Sequence, residues 1–283
     1  MTTLGFVESC WQDLTYAVRN FLLDKTFFVV ALASLALGIG ANTAIFQLLD
    51  AVRLRTLPVP RANELAGLKI AKNEHCCSGN FSDRHSDFTY AQWEQIRAHQ
   101  RAFSGIFAFG DQRFNLARAG EPHFAEGLWV TGDFFRTLGV HPLMGRFLST
   151  NDDHPGCGLN GAVISYAFWQ REFGGDPAVL RKQISLDGHS VEIAGVTPAN
   201  FFGVEVGRSF DVAVPVCAEP LINEENSHVG KRHHWWLAII GRLRPGWTVE
   251  RAAAQAAAIS PAVFSTTVPS IYRPDQAKYY AAY

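Results

Sequence analysis

The sequence predicts an α+β protein in which one long apolar N-terminal helix is followed by a mixed domain. Three observations carry that reading. Residues 27–49 hold no charged side chain, and Lys25 and Asp50 bracket them closely. "KQISLDGHSVEIAGVTP" has the pattern of a β-hairpin: Ile184 and Leu186 alternate, Asp187-Gly188 turns, and Val191 and Ile193 return. Across the remaining residues, strand and helix patterns mix without strict βαβ alternation. Nearly half of the 283 residues are apolar, so a sizeable core is possible. The net charge of −1 leaves no basic footprint for nucleic acid and no acidic tail.

The first element is "ESCWQDLTYAVRNFLLDK". Trp11, Leu14, Tyr16, Val18, Phe21 and Leu22 alternate with Asp13, Arg19 and Asn20 at near-helical spacing. This predicts an amphipathic helix at a membrane surface over residues 1–25. The second element is the uncharged run, which admits three readings. Gly38-Ile39-Gly40 resembles the start of a dinucleotide fingerprint, but residues 27–37 are too long for one strand and hold no turn signal. A soluble core helix of this length would be about twice the average. A membrane helix over 26–50 fits best, since the run spans roughly 34 Å against a hydrocarbon core of about 30 Å. Ala36, Gly40 and Ala44 then recur at i, i+4 and i+8, where small residues let a second helix approach. Asn42, Thr43 and Gln47 can hydrogen-bond across such a contact, and Ala36, Gly40, Ala44 and Asn42 are the predicted packing residues. Orientation is not set by charge: Arg19 and Lys25 precede the span, and Arg53, Arg55 and Arg61 follow it.

Pro58 and Pro60 end the helix. Leu65 to Ala71 reads as a strand, and "HCCSGNFSDRHSD" as a polar loop. "DFTYAQWEQIRAHQRAF" reads as a helix with Tyr90, Trp93, Ile96 and Arg97 on one face, capped by Asp87 or Thr89. "FSGIFAFGDQRFNLA" and "FDVAVPV" read as strands. A strand from Trp236 to Leu243, a Pro245-Gly246 turn and an alanine-rich helix opened by Thr248 and Glu250 complete the pattern.

Few residues suggest chemistry. His228 and His233 match H-x₄-H spacing, but no cysteine pair lies near them, and the other loop histidines, His75, His85 and His234, fall outside any ligand pattern. Asp152-Asp153 before His154-Pro155-Gly156 reads as a solvated turn. No P-loop and no G-x-S-x-G elbow occurs, and His141 and Ser165 lack a catalytic context. The residues predict no catalytic, cofactor-binding or metal site, and so no enzyme. Five cysteines (Cys10, Cys76, Cys77, Cys157 and Cys217) make no disulfide framework. In an oxidising compartment, Cys76 or Cys77 could pair with Cys157 or Cys217.

The run "QDLTYAVRNFLLDKTFFVVALASLALGIGANTAIFQLLDAV" resembles the N-terminus of MacB-like ABC transporter permeases of the FtsX superfamily, of the acidobacterial duplicated type. The resemblance continues in order through "VTGDFFRTLGVHPLMGRFL", "VISYAFWQREFGGDPAVL", "ISLDGHSVEIAGVTPANFFGVEVG", "DVAVPV" and "IIGRLRPGWTVERAAAQ", covering residues 10 to 265. It implies a cytoplasmic N-terminus, a first helix in the bacterial inner membrane and an extracytoplasmic core domain over 61–265. That domain would combine a porter-like βαβ part (61–130 and 211–265) with an inserted, mostly β part (131–210). The implied partners are the lipid bilayer, a cytoplasmic ABC ATPase, and further permease helices or a second permease copy. The implied function is coupling of ATP hydrolysis to export or extracytoplasmic mechanotransmission. Arg181 departs from the glycine common in that family. Three further membrane helices are expected after such a domain, so residues 266–283 read as a truncated tail. The alternative is a stand-alone anchored binding module or a nonfunctional permease fragment.

Overall fold

A computed structural model of the chain describes residues 11, 12, 16, 25–49, 57–70, 79–82 and 84–282. Two compact units emerge, residues 1–55 and 56–283. Most of the predicted amphipathic stretch lies outside the described residues. So do His75, Cys76 and Cys77.

The first unit holds helix α1, Lys25–Leu49. Its segment Phe28–Gln47 is long and apolar enough to cross a membrane. Among its described side chains only Ala31 is even partly covered, and Phe28, Leu35, Leu37 and Phe46 are open. A helix apolar on all sides finds no favourable surroundings in water, which is the physical signature of a lipid-facing element.

The second unit is organised by one nine-stranded sheet. Its strands are β1 (Leu65–Leu68), β3 (Phe103–Asn115), β4 (Phe124–Val130), β5 (Met144–Gly145), β6 (Ala162–Ile164), β7 (Gln183–Leu186), β8 (His189–Val196), β9 (Val212–Pro215) and β11 (Ala238–Leu243). The order is β1-β11-β3-β4-β9-β6-β8-β5, with β7 beside β8 as the predicted hairpin. Asp187 and Gly188 turn that hairpin with φ of 50° and 90°. β10 (His234–Trp235) pairs in parallel with β2 (Asn80–Phe81) in a small second sheet. The predicted strand from Trp236 therefore starts two residues later.

β3 is central and buried on both faces, which explains its unbroken apolar run "IFAF". Ile106 and Ala108 face one core with Trp93, Trp129 and Tyr280. Phe107 and Phe109 face the other with Val59, Phe134, Phe135 and Leu138. Helix α2 (Tyr90–His99) contributes Trp93 and Ile96 to the first core, while Arg97 stays exposed. Thr89 caps it in a reciprocal box with Gln92, whereas Asp87 pairs with Lys69 Nζ at 2.6 Å. Helix α3 (Phe134–Leu138) covers the opposite face and ends on Gly139 at φ 72°. Helix α4 is Tyr166–Phe173, and the short helix α5 is Glu219–Asn223.

The alanine-rich helix, α6, runs Val249–Thr266 straight through Pro261. Burial of Val263 and Phe264 carries it past the proline that would otherwise stop it. Residues 266–282 include one further helix. Helix α7 (Pro274–Ala281) buries Tyr280 completely, and its hydroxyl accepts from Gln92 Nε2 at 3.0 Å.

Candidate functional site

The predicted packing residues sit on α1. Ala36, Gly40, Ala44 and Asn42 are all exposed there, and a Cβ on Gly40 would meet nothing within 4 Å. Ala36, Gly40 and Ala44 share one face at 100° per residue, flanked by Thr43 and Gln47, and Asn42 falls nearly opposite. The Thr43 hydroxyl donates to the Ile39 carbonyl at 2.8 Å, so its polarity is satisfied within its own helix.

The chain leaving α1 enters the second unit at residues 57–64. Val59 is buried in the second core, and Leu57 packs against it. Arg61 adopts the left-handed region at φ 50°. The group that holds this segment is Arg242, a lone cation in an apolar strand and only 8 % exposed. A β-bulge between Arg242 and Leu243 re-aims the strand there. The guanidinium then uses all five of its N–H donors. Nε donates to Thr137 O at 2.9 Å. Nη1 donates to Arg61 O at 2.9 Å and to Glu64 Oε2 at 3.2 Å. Nη2 donates to Pro60 O at 2.9 Å and to Leu138 O at 3.4 Å. Two of these acceptors end α3, where a cation is favoured. Gly105, opposite Arg242 on β3, permits the approach: a Cβ there would lie 2.6 Å from Thr137 Oγ1.

A second fastening lies at the loop 149–157. Asp152-Asp153 is no solvated turn. Asp152 is buried and accepts from both terminal nitrogens of Arg146, at 2.9 and 2.8 Å, and from the Ser149 backbone and hydroxyl. Burial pushes its carboxyl up, but the bonds from Arg146 and Ser149 outweigh this and hold it below the usual range. Asp153 accepts from the backbone N–H groups of Gly132 and Cys217 at 2.9 and 3.2 Å, and burial raises its carboxyl. Cys157 and Cys217 form a disulfide across 60 residues of sequence. The expected pairing of either with Cys76 or Cys77 is thereby corrected. The two sulfurs meet because the loop after β5 folds onto the end of β9, a contact invisible to spacing.

The histidines form two unrelated clusters. His228 and His234, not His233, come together: their rings stack with centroids 3.7 Å apart. Stacked rings face each other instead of converging on one ion. Beneath them Glu219 is fully buried and accepts from Asn223 Nδ2, Ser227 Oγ and the His228 N–H. Burial, with His228 and Lys231 nearby, lowers His234 to about 4, and burial also lowers His228. His85 belongs to a charged cleft instead, with Nε2 3.4 Å from Asp111 Oδ2 and 3.8 Å from Glu205 Oε1. Arg208 closes that cleft against Asp111, Glu126 and Glu205. Among the described residues, no group of three His, Cys, Asp or Glu is poised to hold a metal. Sequence reasoning missed Arg242, although a single arginine inside "WLAIIGRL" is itself a signal.

The family model of the MacB-like periplasmic core domain matches residues 28–259. The chain belongs to that family. It is thus similar to the extracytoplasmic domain of MacB-like, FtsX-type ABC permeases. Three solved structures resemble this MacB-like domain. The periplasmic region of MacB from Actinobacillus actinomycetemcomitans is 10% identical, with 66% of this chain and 82% of that chain covered and a TM-score of 0.48. The extracellular domain of the ABC-type transporter YknZ from Gram-positive bacteria is 13% identical, covering 63% and 86%, with a TM-score of 0.44. A permease domain from Porphyromonas gingivalis is 17% identical, covering 71% and 85%, with a TM-score of 0.45. A search of curated proteins finds no match.

Proposed function

We propose that the chain is the membrane-anchored part of an ABC transporter permease, which couples ATP hydrolysis by a separate cytoplasmic ATPase to export or mechanotransmission outside the bilayer. The observation that carries this reading is the family match, which runs without a break from inside α1 to the middle of α6. In this reading the N-terminus is cytoplasmic, α1 crosses the bacterial inner membrane and the second unit lies outside. The Cys157–Cys217 disulfide supports an oxidising compartment for that unit. Further permease helices or a second permease copy pack on the Ala36, Gly40 and Ala44 face, with Asn42 available to another neighbour on the opposite side. The porter-like part comprises 61–130 and 211–265, and the inserted part 131–210. That division falls inside one sheet, between β9 and β6, so movement of either part is passed on through backbone hydrogen bonds. The permease performs no covalent chemistry; the free energy comes from nucleotide turnover elsewhere, through coupling between distant sites.

The test is a pair of reporter fusions after residue 266, combined with ATPase co-purification. Alkaline phosphatase fused there is expected to be active and green fluorescent protein dark, with an ABC ATPase retained on the tagged chain. A bright cytoplasmic reporter overturns the orientation. Full activity of the chain in cells lacking every such ATPase overturns the coupling.

A further inference from the structure

We propose that Arg242 is the positioning residue that transmits displacement of the membrane helix to the domain. This rests on the mechanotransmission reading above. In that reading a pull on α1 enters the domain along the chain, through residues 57–64. That segment's other ties are apolar: Leu57, Val59 and Ala62 pack in the second core, and Pro60 lies against Gly139, whose Cβ would sit 3.6 Å from the proline ring. Backbone bonds within it, such as Val59 N–H to Leu57 O at 2.8 Å and Glu64 N–H to Arg61 O at 3.0 Å, run within the segment and pass nothing onward. Arg242 is different, because its five bonds join three elements. Pro60, Arg61 and Glu64 belong to the entering segment. Thr137 and Leu138 belong to α3, near the start of the inserted part. Arg242 itself belongs to β11, whose neighbours are β1 and β3.

One planar, buried fork therefore fixes the entering chain to the sheet and to α3 together. A shift of Pro60 and Arg61 cannot occur without either breaking charge-assisted bonds or carrying both elements with it. Lysine cannot replace it, since three donors on a flexible stem do not serve five acceptors in a plane. The bulge at 242 and the side-chain-free Gly105 exist at the positions where this fork must reach α3. The left-handed Arg61 presents its carbonyl to Nη1, a conformation that a non-glycine residue keeps only when its surroundings impose it.

The experiment uses the full chain in detergent micelles, alone and with its co-purified ATPase, read by amide hydrogen exchange. In Arg242→Lys, exchange at residues 59–65 and 138–140 is expected to rise roughly tenfold while β3 and β4 are unchanged. A residue that merely stabilises the fold would raise exchange throughout the sheet, and that outcome, or no rise at all, overturns the proposal. With ATPase present, adding ATP is expected to change exchange on the 183–193 hairpin of the unsubstituted chain, and Arg242→Lys is expected to lose most of that change. An unsubstituted chain that does not respond to ATP sinks the transport reading and the coupling role with it. A response retained in full by Arg242→Lys sinks the coupling role alone. Should Arg242→Lys not fold, Glu64→Gln keeps all five acceptors and removes only the counter-charge. It is expected to give a smaller rise in the same residues, and no rise there overturns the proposal.

Discussion

On β11, one strand in from an edge of the main sheet, Arg242 holds the entering chain with five hydrogen bonds from a single side chain. Near the middle of the same sheet, a disulfide and the Asp153 carboxylate hold the loop 149–157 to the end of β9. The first fastening is non-covalent and depends on one residue. The second is covalent and shared among several groups, and it ties the loop 149–157 to the residues that follow β9. In the proposed coupling role, the first would be the joint where motion enters and the second a joint where none is lost.

Breaking the covalent fastening should have the largest effect. Cys157→Ser with Cys217→Ser opens a loop of 60 residues, which corresponds to about 4 kcal/mol in the chain-entropy account. For a domain of this size the melting temperature should fall by roughly 8–16 °C. Calorimetry of the domain under non-reducing conditions checks this. An unchanged melting temperature would mean that the carboxylate bonds alone hold the joint.

The carboxylate share of that joint comes next. Asp153→Ala leaves the Gly132 and Cys217 N–H groups without their acceptor and is expected to cost about 1–3 kcal/mol by denaturant titration. Asp153→Asn, which keeps one oxygen, should lose less. If both substitutions cost the same, the geometry at the two N–H groups is not what stabilises the loop.

The smallest expected effect lies away from both fastenings. His234 is lowered from its usual 6.5 to about 4 in the folded state, chiefly by burial. The unfolded chain therefore takes up this proton first as pH falls. The stability it contributes is complete above pH 6.5 and is lost between 6.5 and 4. Melting curves at pH 7.5 and 5 should show a drop that is smaller in His234→Gln, and an identical drop would remove His234 as its cause.

Much of this architecture is legible in the residues because it rests on local chemistry. An uncharged run longer than 20 residues favours a long helix, which satisfies its backbone hydrogen bonds internally. The hairpin at 183–193 is written in its alternation and its Asp-Gly turn, and α2 in its capping residues. The ordered motifs carried the family. The disulfide was not legible, because which thiols meet depends on how the loop after β5 packs onto β9. Asp152 and Asp153 read as a turn because their partners, Arg146, Gly132 and Cys217, come from up to 64 residues away.

The identity of the elements was thus set by the sequence itself, through periodicity, turn chemistry and apolar length, each acting over a few neighbouring residues. Tertiary structure alone decided their joints. Arg242 became the meeting point of the entering segment, α3 and the sheet because a bulge, a glycine and a helix C-terminus from distant parts of the chain converge on it. Cys157 found Cys217 for the same reason. A contact between residues far apart in sequence is chosen by the packing of whole elements, and no local pattern encodes that choice.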